Sequence, residues 1–361
     1  MAVYVGYMLL AGIQLPLFYT KDRLKRQHFY VNGYLVLCFL ELLLLAGLRA
    51  YTVGADLSNY LGALTYYSQM PFLELVTAEL VWPYDYEIGY FSLVKLCAFL
   101  KTGRTGFLFI IAAIIYIPTF IAVRKHSPMP YISILCYFAL GFFSYSLGIF
   151  RQMIASSILL CGWRYVQERC LGKYLLTVAL AMLFHITSIV AVALYFLYEV
   201  NWGRILGWIV LVEIGLLVFG RIVAELMLRV FPMYSSYIGG QYDTQGGTYL
   251  SLILLNAVLL ASVLIRNESR CKEEKMMICA MVLAICIQCI GYSMSVLGRA
   301  TRYFSLYMIF AIPCVLNNLK KKIGYQWTFV VTLLVVVILF GLAYNEFNGN
   351  KFLVPYSTVF R

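Results

Sequence analysis

Charge is what this chain of 361 residues has least of. Only 12% of its residues are Asp, Glu, Lys or Arg, whereas 63% are hydrophobic; soluble domains carry about 25% charge. That imbalance excludes a soluble domain of any size, because apolar runs of roughly 18 residues recur from end to end, each long enough to cross about 30 Å of hydrocarbon. Histidine is scarce as well, with three in the whole chain. No internal repeat, linker or low-complexity segment is visible. No hydrophilic stretch is long enough to hold a P-loop or Rossmann pattern, which leaves no place for a nucleotide. The first apolar run lacks a basic n-region and a small-residue cleavage site, so it is expected to stay as a span and not to be removed as a signal peptide. The ten cysteines lie mostly inside spans or on loops assigned to the cytoplasm (Cys170, Cys271), and the CIQC pair (Cys286, Cys289) stands alone within a span. They read as small apolar side chains, with no disulfide and no metal site expected.

What is present is basic. The net charge of +12 points less to nucleic acid than to the positive-inside rule, by which Lys and Arg collect in cytoplasmic loops. The clusters are KDRLKR (21–26), RK (124–125), RYVQERCLGK (164–173), RNESRCKEEK (266–275) and KKK (320–322). Keeping all of them on one side places spans at about 1–19, 31–48, 105–123, 129–147, 150–166, 204–220, 249–265, 276–293, 303–319 and 325–344, lengths suited to a bilayer. Both termini then fall outside. The fold expected is an all-α polytopic membrane protein, one transmembrane domain over 1–361 with external loops 49–104 and 221–248.

Two segments do not fit as simple crossings. Residues 87–101 make a helix of roughly 22 Å, too short to span, and a crossing there would send Arg124 and Lys125 outside. This segment is expected on the outer face, in the interface or partly re-entrant. Residues 173–199 would, as one crossing, invert everything downstream. Two short helices meeting near His185 keep every basic loop inside. With that broken pair the count comes to about twelve hydrophobic helices.

Removing the cytoplasmic clusters leaves a short set of charges at the outer edge: Arg49, Asp56, Glu87, Arg151, Arg221, Arg229, Arg299 and Arg302. A guanidinium is costly near hydrocarbon and is kept where it has a carboxylate, a carbonyl or an anion. Arg299 and Arg302 in GRATRYF are three apart and share a face if a helix starts there. Two forks on one face suit a pyrophosphate; the alternative is a pair of snorkelling edge arginines. Arg151 in FRQMIASS is followed by Gln152, Ser156 and Ser157, neighbours that a plain membrane anchor has no need of. Arg49 has two readings. Either Gly54 turns the chain so that Asp56 folds back onto it as a local salt bridge, or Arg49 meets an anion while Asp56 meets a sugar hydroxyl or a proton. His185 is the one histidine outside the cytoplasmic loops. At the break of two half-helices, unsatisfied backbone must face water, protein or ligand, and the imidazole can pass a proton near neutrality. Thr187 and Ser188 lie beside it. Arg221, Glu225 and Arg229 read as a salt-bridged interfacial helix, and YSSYIGGQYDTQGGTY beyond them as a flexible loop or a lid. Glu41 and Glu213 fall mid-span, as partners for arginine or on a proton path.

R-x4-G-x-D (Arg49 to Asp56) followed by Tyr60, then E-x-G-Y (Glu87 to Tyr90), FRQMIA, AMLFH-x-T-S, R-x2-RYF and a tail with Pro355-Tyr356, in that order, resemble the EpsG family of Wzy-like repeat-unit polymerases. The likeness runs over almost the whole chain. It implies a GT-C-like architecture in the bacterial inner membrane, with the active site facing outward. The implied reaction moves a growing glycan from undecaprenyl pyrophosphate to the non-reducing end of a lipid-linked repeat unit. Such a donor is already activated, so no cofactor and no metal is implied. The partners would be the lipid-linked oligosaccharide, the bilayer and a chain-length co-polymerase, not nucleic acid. Under that reading His185, Asp56 or Glu87 serves in catalysis. Arg151, Arg299, Arg302 and Arg49 hold pyrophosphate, and Gln152, Ser188 and Tyr303 position substrate. The competing readings are a flippase or transporter for lipid-linked sugars, a membrane O-acyltransferase, and a ligase that uses nearly the same chemistry.

Overall fold

The computed structural model of the protein describes residues 1–21, 27–79, 86–230, 249–266 and 271–360. The basic stretches 22–26 and 267–270, and the Gly-pair and tyrosine loop over 231–248, lie outside the described residues. The chain is helical apart from one short ribbon among them. Helices α1 (Ala2–Ile13) and α2 (Val31–Gly47) flank strands β1 (Tyr19–Lys21) and β2 (Gln27–Phe29), which pair antiparallel with Tyr19 opposite Phe29. The long outer segment holds three helices, α3 (Leu57–Ser68), α4 (Phe72–Thr77) and α5 (Ile88–Phe99). Next come α6 (Gly103–His126), α7 (Pro130–Ala139), α8 (Phe142–Gly148), α9 (Phe150–Cys161), α10 (Trp163–Gln167) and α11 (Leu171–Met182). The remainder is α12 (Val192–Leu197), α13 (Leu206–Val230), α14 (Tyr249–Leu264), α15 (Cys271–Ser293), α16 (Ser295–Gly298), α17 (Arg302–Ser305) and α18 (Met308–Phe347).

Four of these, α6, α13, α15 and α18, are long and apolar enough to cross a bilayer on their own. The bent pair α7–α8 makes a fifth if counted as one span. Of the others, α1, α2, α5, α9, α11, α12 and α14 lie in shorter apolar helical segments, so several expected spans differ in detail. The 129–147 run bends by 58° between α7 and α8. Gly141 sits there at φ +80, a left-handed conformation that costs glycine nothing. The 150–166 run is two pieces, α9 and α10. The 303–319 and 325–344 runs remain two helices within α18, separated at Gly324, whose φ 77 and ψ 172 are non-helical. The outer helix expected over 87–101 is shorter, 12 residues in α5, or ~18 Å at 1.5 Å per residue. Helix α13 continues through Val230, so the expected loop 221–248 begins as helix, and Arg221 and Glu225 pair across one turn of it at 2.6 Å.

The break expected near His185 is there. Helix α11 ends at Met182, residues 183–185 turn, and a 3₁₀ segment, Ile186–Ala191, leads into α12. Tyr174 donates to the Ala191 carbonyl at 2.7 Å and stacks on Tyr195. Tyr195 in turn donates to the Arg169 carbonyl at 2.7 Å and lies under the Arg169 guanidinium. These contacts tie the descending limb to the rising one.

The chain divides into two compact units, Met1–Cys161 with Ala179–Ile186 and Phe329–Arg361, and Gly162–Val178 with Thr187–Thr328. In the first, α6, with Phe107, Ile111 and Ile115 buried, packs on α2 and α9, and α5 packs on α3 and α4. In the second, α15 is the centre, with α13, α14, α16 and α17 against it. Every residue from Met276 to Ile285 is buried there, as expected of a helix that is apolar all round.

Candidate active site

Glu87 stands at the N-terminal end of α5, but its side chain does not cap that helix. It turns outward instead. One carboxylate oxygen meets Arg151 Nη1 at 2.5 Å, and the other meets His185 Nδ1 at 2.8 Å. The second oxygen also accepts from the Ile186 backbone N–H at 3.2 Å. The three side chains are mostly but not fully covered, with 17% of Glu87, 22% of His185 and 27% of Arg151 exposed.

A glycine makes this approach possible. Gly89 N–H donates to the Leu183 carbonyl at 2.7 Å. A Cβ at position 89 would lie 2.7 Å from that same oxygen. Only a residue without a side chain lets the first turn of α5 lie against the 183–185 turn. The spacing E-x-G-Y thus places a carboxylate and a close-contact backbone two residues apart.

The electrostatics follow from the geometry. Burial opposes the charge on Glu87, but the hydrogen bond from His185 and the Arg151 guanidinium outweigh it and hold the carboxyl down at about 2. A carboxylate facing Nδ1 requires the proton on that nitrogen, leaving Nε2 of the neutral imidazole as the acceptor. The arrangement can therefore take a proton at Nε2 and steady the imidazolium that results.

Arg151 is the second residue of α9. Its guanidinium lies over the Tyr86 ring at 5.0 Å, and its buried Nε has no hydrogen-bond partner among the described residues. Tyr60, Tyr86 and Tyr90 form an aromatic cluster with centroids 5.2–5.8 Å apart, and Phe150 stacks on Tyr60 at 4.7 Å. Of the partners a guanidinium near hydrocarbon can have, Arg151 has a carboxylate, 64 residues away in the chain.

Arg49 also differs from expectation. It is 1% exposed, and it donates from Nε to the Val53 carbonyl at 2.9 Å, from Nη2 to Leu147 at 3.0 Å and from Nη1 to Ala46. Main-chain carbonyls, not Asp56, hold it. Asp56 is exposed at the N-cap position of α3 with no capping hydrogen bond. Gln152 is buried beside Arg151 on α9.

The remaining candidates belong to the second unit. Tyr303, 2% exposed, shares a hydrogen bond of 2.9 Å with Thr187. Ser188 is fully buried, and its hydroxyl has no partner among the described residues. Arg299 opens a 3₁₀ turn, Arg299–Thr301, and Arg302 opens α17; both have helical backbone angles. The pair thus lies within a helical stretch that already opens at Ser295, rather than at a helix start. Arg299 is exposed and Arg302 half-buried.

A family model for the EpsG family matches residues 32–358. This chain is a member of the EpsG family. Its match spans both units and covers Arg49, Glu87, Arg151, His185 and Arg302. No curated protein and no solved structure matches the chain. EpsG membership, together with the apolar helices, makes this a membrane-associated, polysaccharide-related protein. Two parts of the candidate site escaped sequence reading: Gly89 as the contact that brings Glu87 to His185, and Tyr86 under Arg151. The E-x-G-Y spacing carried a signal for the first.

Proposed function

We propose that this protein is a glycosyltransferase that polymerises lipid-linked oligosaccharide repeat units at the outer face of a bacterial inner membrane, on a GT-C-like scaffold. The observation that carries the reading is the Glu87 carboxylate joining His185 to Arg151, in a chain of the EpsG family. The donor is a glycan on undecaprenyl pyrophosphate, and the acceptor is the non-reducing end of a second lipid-linked unit. The bond between the anomeric carbon and the pyrophosphate oxygen breaks, and a bond from the acceptor hydroxyl oxygen to that carbon forms on the opposite face. His185 Nε2 takes the hydroxyl proton, with Glu87 holding the ring. The electron pair leaves on the pyrophosphate, whose growing negative charge Arg151 meets with its remaining N–H groups. Arg299 and Arg302 are the further pyrophosphate ligands of this reading, and Tyr303, Ser188 and Gln152 its positioning groups. Glu87, engaged on both oxygens and held at about 2, is the orienting acid and not the base.

The test uses purified full-length protein with synthetic lipid-linked repeat unit, products resolved by size. The wild type is expected to give a ladder of lengthened glycans without added nucleotide. Arg151→Ala is expected to lower elongation by ~10²-fold or more at an unchanged protein level. A wild-type protein that flips the lipid-linked unit in vesicles yet never lengthens it in detergent would overturn the reading.

A further inference from the structure

Arg49 stands apart from the other outer-edge arginines because it is sealed. Burying a guanidinium costs several kcal/mol unless its N–H groups find acceptors. Here the acceptors are the carbonyls of Ala46, Val53 and Leu147. Ala46 and Leu147 lie in the last turns of α2 and α8, where carbonyls lack helical partners and carry the negative end of the helix dipole. The Ala50 N–H that would close on Ala46 bonds to Ser357 instead, at 2.8 Å.

The same loop is pressed onto the α8–α9 break. A Cβ on Gly54, whose φ is +139, would lie 2.3 Å from the Leu147 carbonyl oxygen. A Cβ on Gly148 would lie 2.8 Å from Ala55 N. The Arg49 guanidinium also covers the ring of Phe150 at 5.6 Å, and Phe150 is the residue before Arg151. Behind the loop lies the chain's own C-terminal segment. Gly54 N–H donates to Phe352 at 2.8 Å, Val359 N–H donates to Leu48 at 3.0 Å, and Arg49 forms an isolated bridge with Thr358. The Tyr356 hydroxyl reaches the Leu45 carbonyl at 2.9 Å.

We propose that Arg49 is a positioning residue for Arg151, and that segment 352–359 is the strap that holds Arg49 in place. The tail fixes the 48–55 loop, the loop fixes Leu147 and Phe150, and these fix where Arg151 emerges to meet Glu87. The inference rests on the proposed function for its chemical purpose, but its test does not.

The test reads the reactivity of His185 toward diethyl pyrocarbonate, which acylates neutral imidazole, by peptide mass spectrometry across pH. His28 and His126, the only other histidines, fall on separate peptides. Glu87 faces the imidazole directly and Arg151 through it, with Asp56, Tyr60, Tyr86 and Tyr90 around that pair. Displacing the Arg151 cation leaves the Glu87 carboxylate to act on the ring alone. The acylation of His185 in Arg49→Gln, and in the protein lacking 352–361, is then expected to be about 3-fold slower than in the wild type at the same pH. Arg49→Lys, which keeps a cation but loses the fork, is expected to fall between. Loss of packing alone lowers thermal stability without moving this profile. A wild-type profile in Arg49→Gln or in the truncated protein overturns the proposal. If Arg49→Gln does not accumulate, Phe150→Leu and the truncation carry the same measurement. A wild-type protein that fails to elongate glycans would sink the polymerase reading while leaving the strap to be judged on its own profile.

Discussion

Glu87 serves two neighbours with one carboxylate, and its environment suits it to that work. An ordinary glutamate titrates near 4.5, whereas this one is held at about 2 by the His185 hydrogen bond and the Arg151 charge, against burial. For an acid lowered in this way, the contribution of its charge is complete above 4.5 and is lost only as pH falls through about 2. Between about pH 5 and 8 it stays ionised, so its hold on His185 and Arg151 does not change across that range. Glu87→Gln is expected to cost ~10²-fold in elongation at an unchanged protein level. A folded variant as active as the wild type would count against the pairing. Sequence alone singled out Glu87, His185 and Arg151 from their position at the outer edge. It did not join them, because Glu87 and His185 are 98 residues apart. The role of Arg49 was hidden more deeply: its partners are backbone carbonyls, which every residue has and no side chain announces.

At the scale of elements, the site depends on a turn, a helix start and a helix break. The turn at 183–185 was legible, because charge placement and length together forbid a single crossing of 173–199. Helices α3 and α4, within the outer segment, were not foreseen, although α3 carried its signal: Leu57, Tyr60, Leu61 and Leu64 fall on one face and are all buried. The docking of α5 against the turn is the most exacting contact. Gly89→Ala would place a methyl 2.7 Å from the Leu183 oxygen and 2.8 Å from its Cβ. It is expected to break the Gly89–Leu183 hydrogen bond, to cost ~1–3 kcal/mol of stability, and to lower elongation with it. Thermal unfolding in detergent beside the glycan ladder checks both; a variant as stable and as active as the wild type would show that the approach is looser than drawn.

For the whole molecule, the apolar surface tells where the lipid is. Trp208, Leu211, Ile214, Val218 and Phe219 on α13 are exposed, as are Trp327, Val330, Leu334 and Val337 on the second stretch of α18. Faces of this length and composition suit acyl chains. The orientation proposed for the site is open to direct labelling. In a protein with its cysteines replaced, a cysteine at Tyr51 is expected to react with a membrane-impermeant maleimide on intact cells, and one at Lys320 only after permeabilisation. The reverse pattern would turn the site toward the cytoplasm and remove the outer-face reaction. Whichever anion reaches Arg151 must also contend with what already sits there. A carboxylate fixed 2.5 Å from the guanidinium offsets much of its charge toward a small solute. The N–H groups left over then favour a guest that brings more than one negative charge and a second point of attachment.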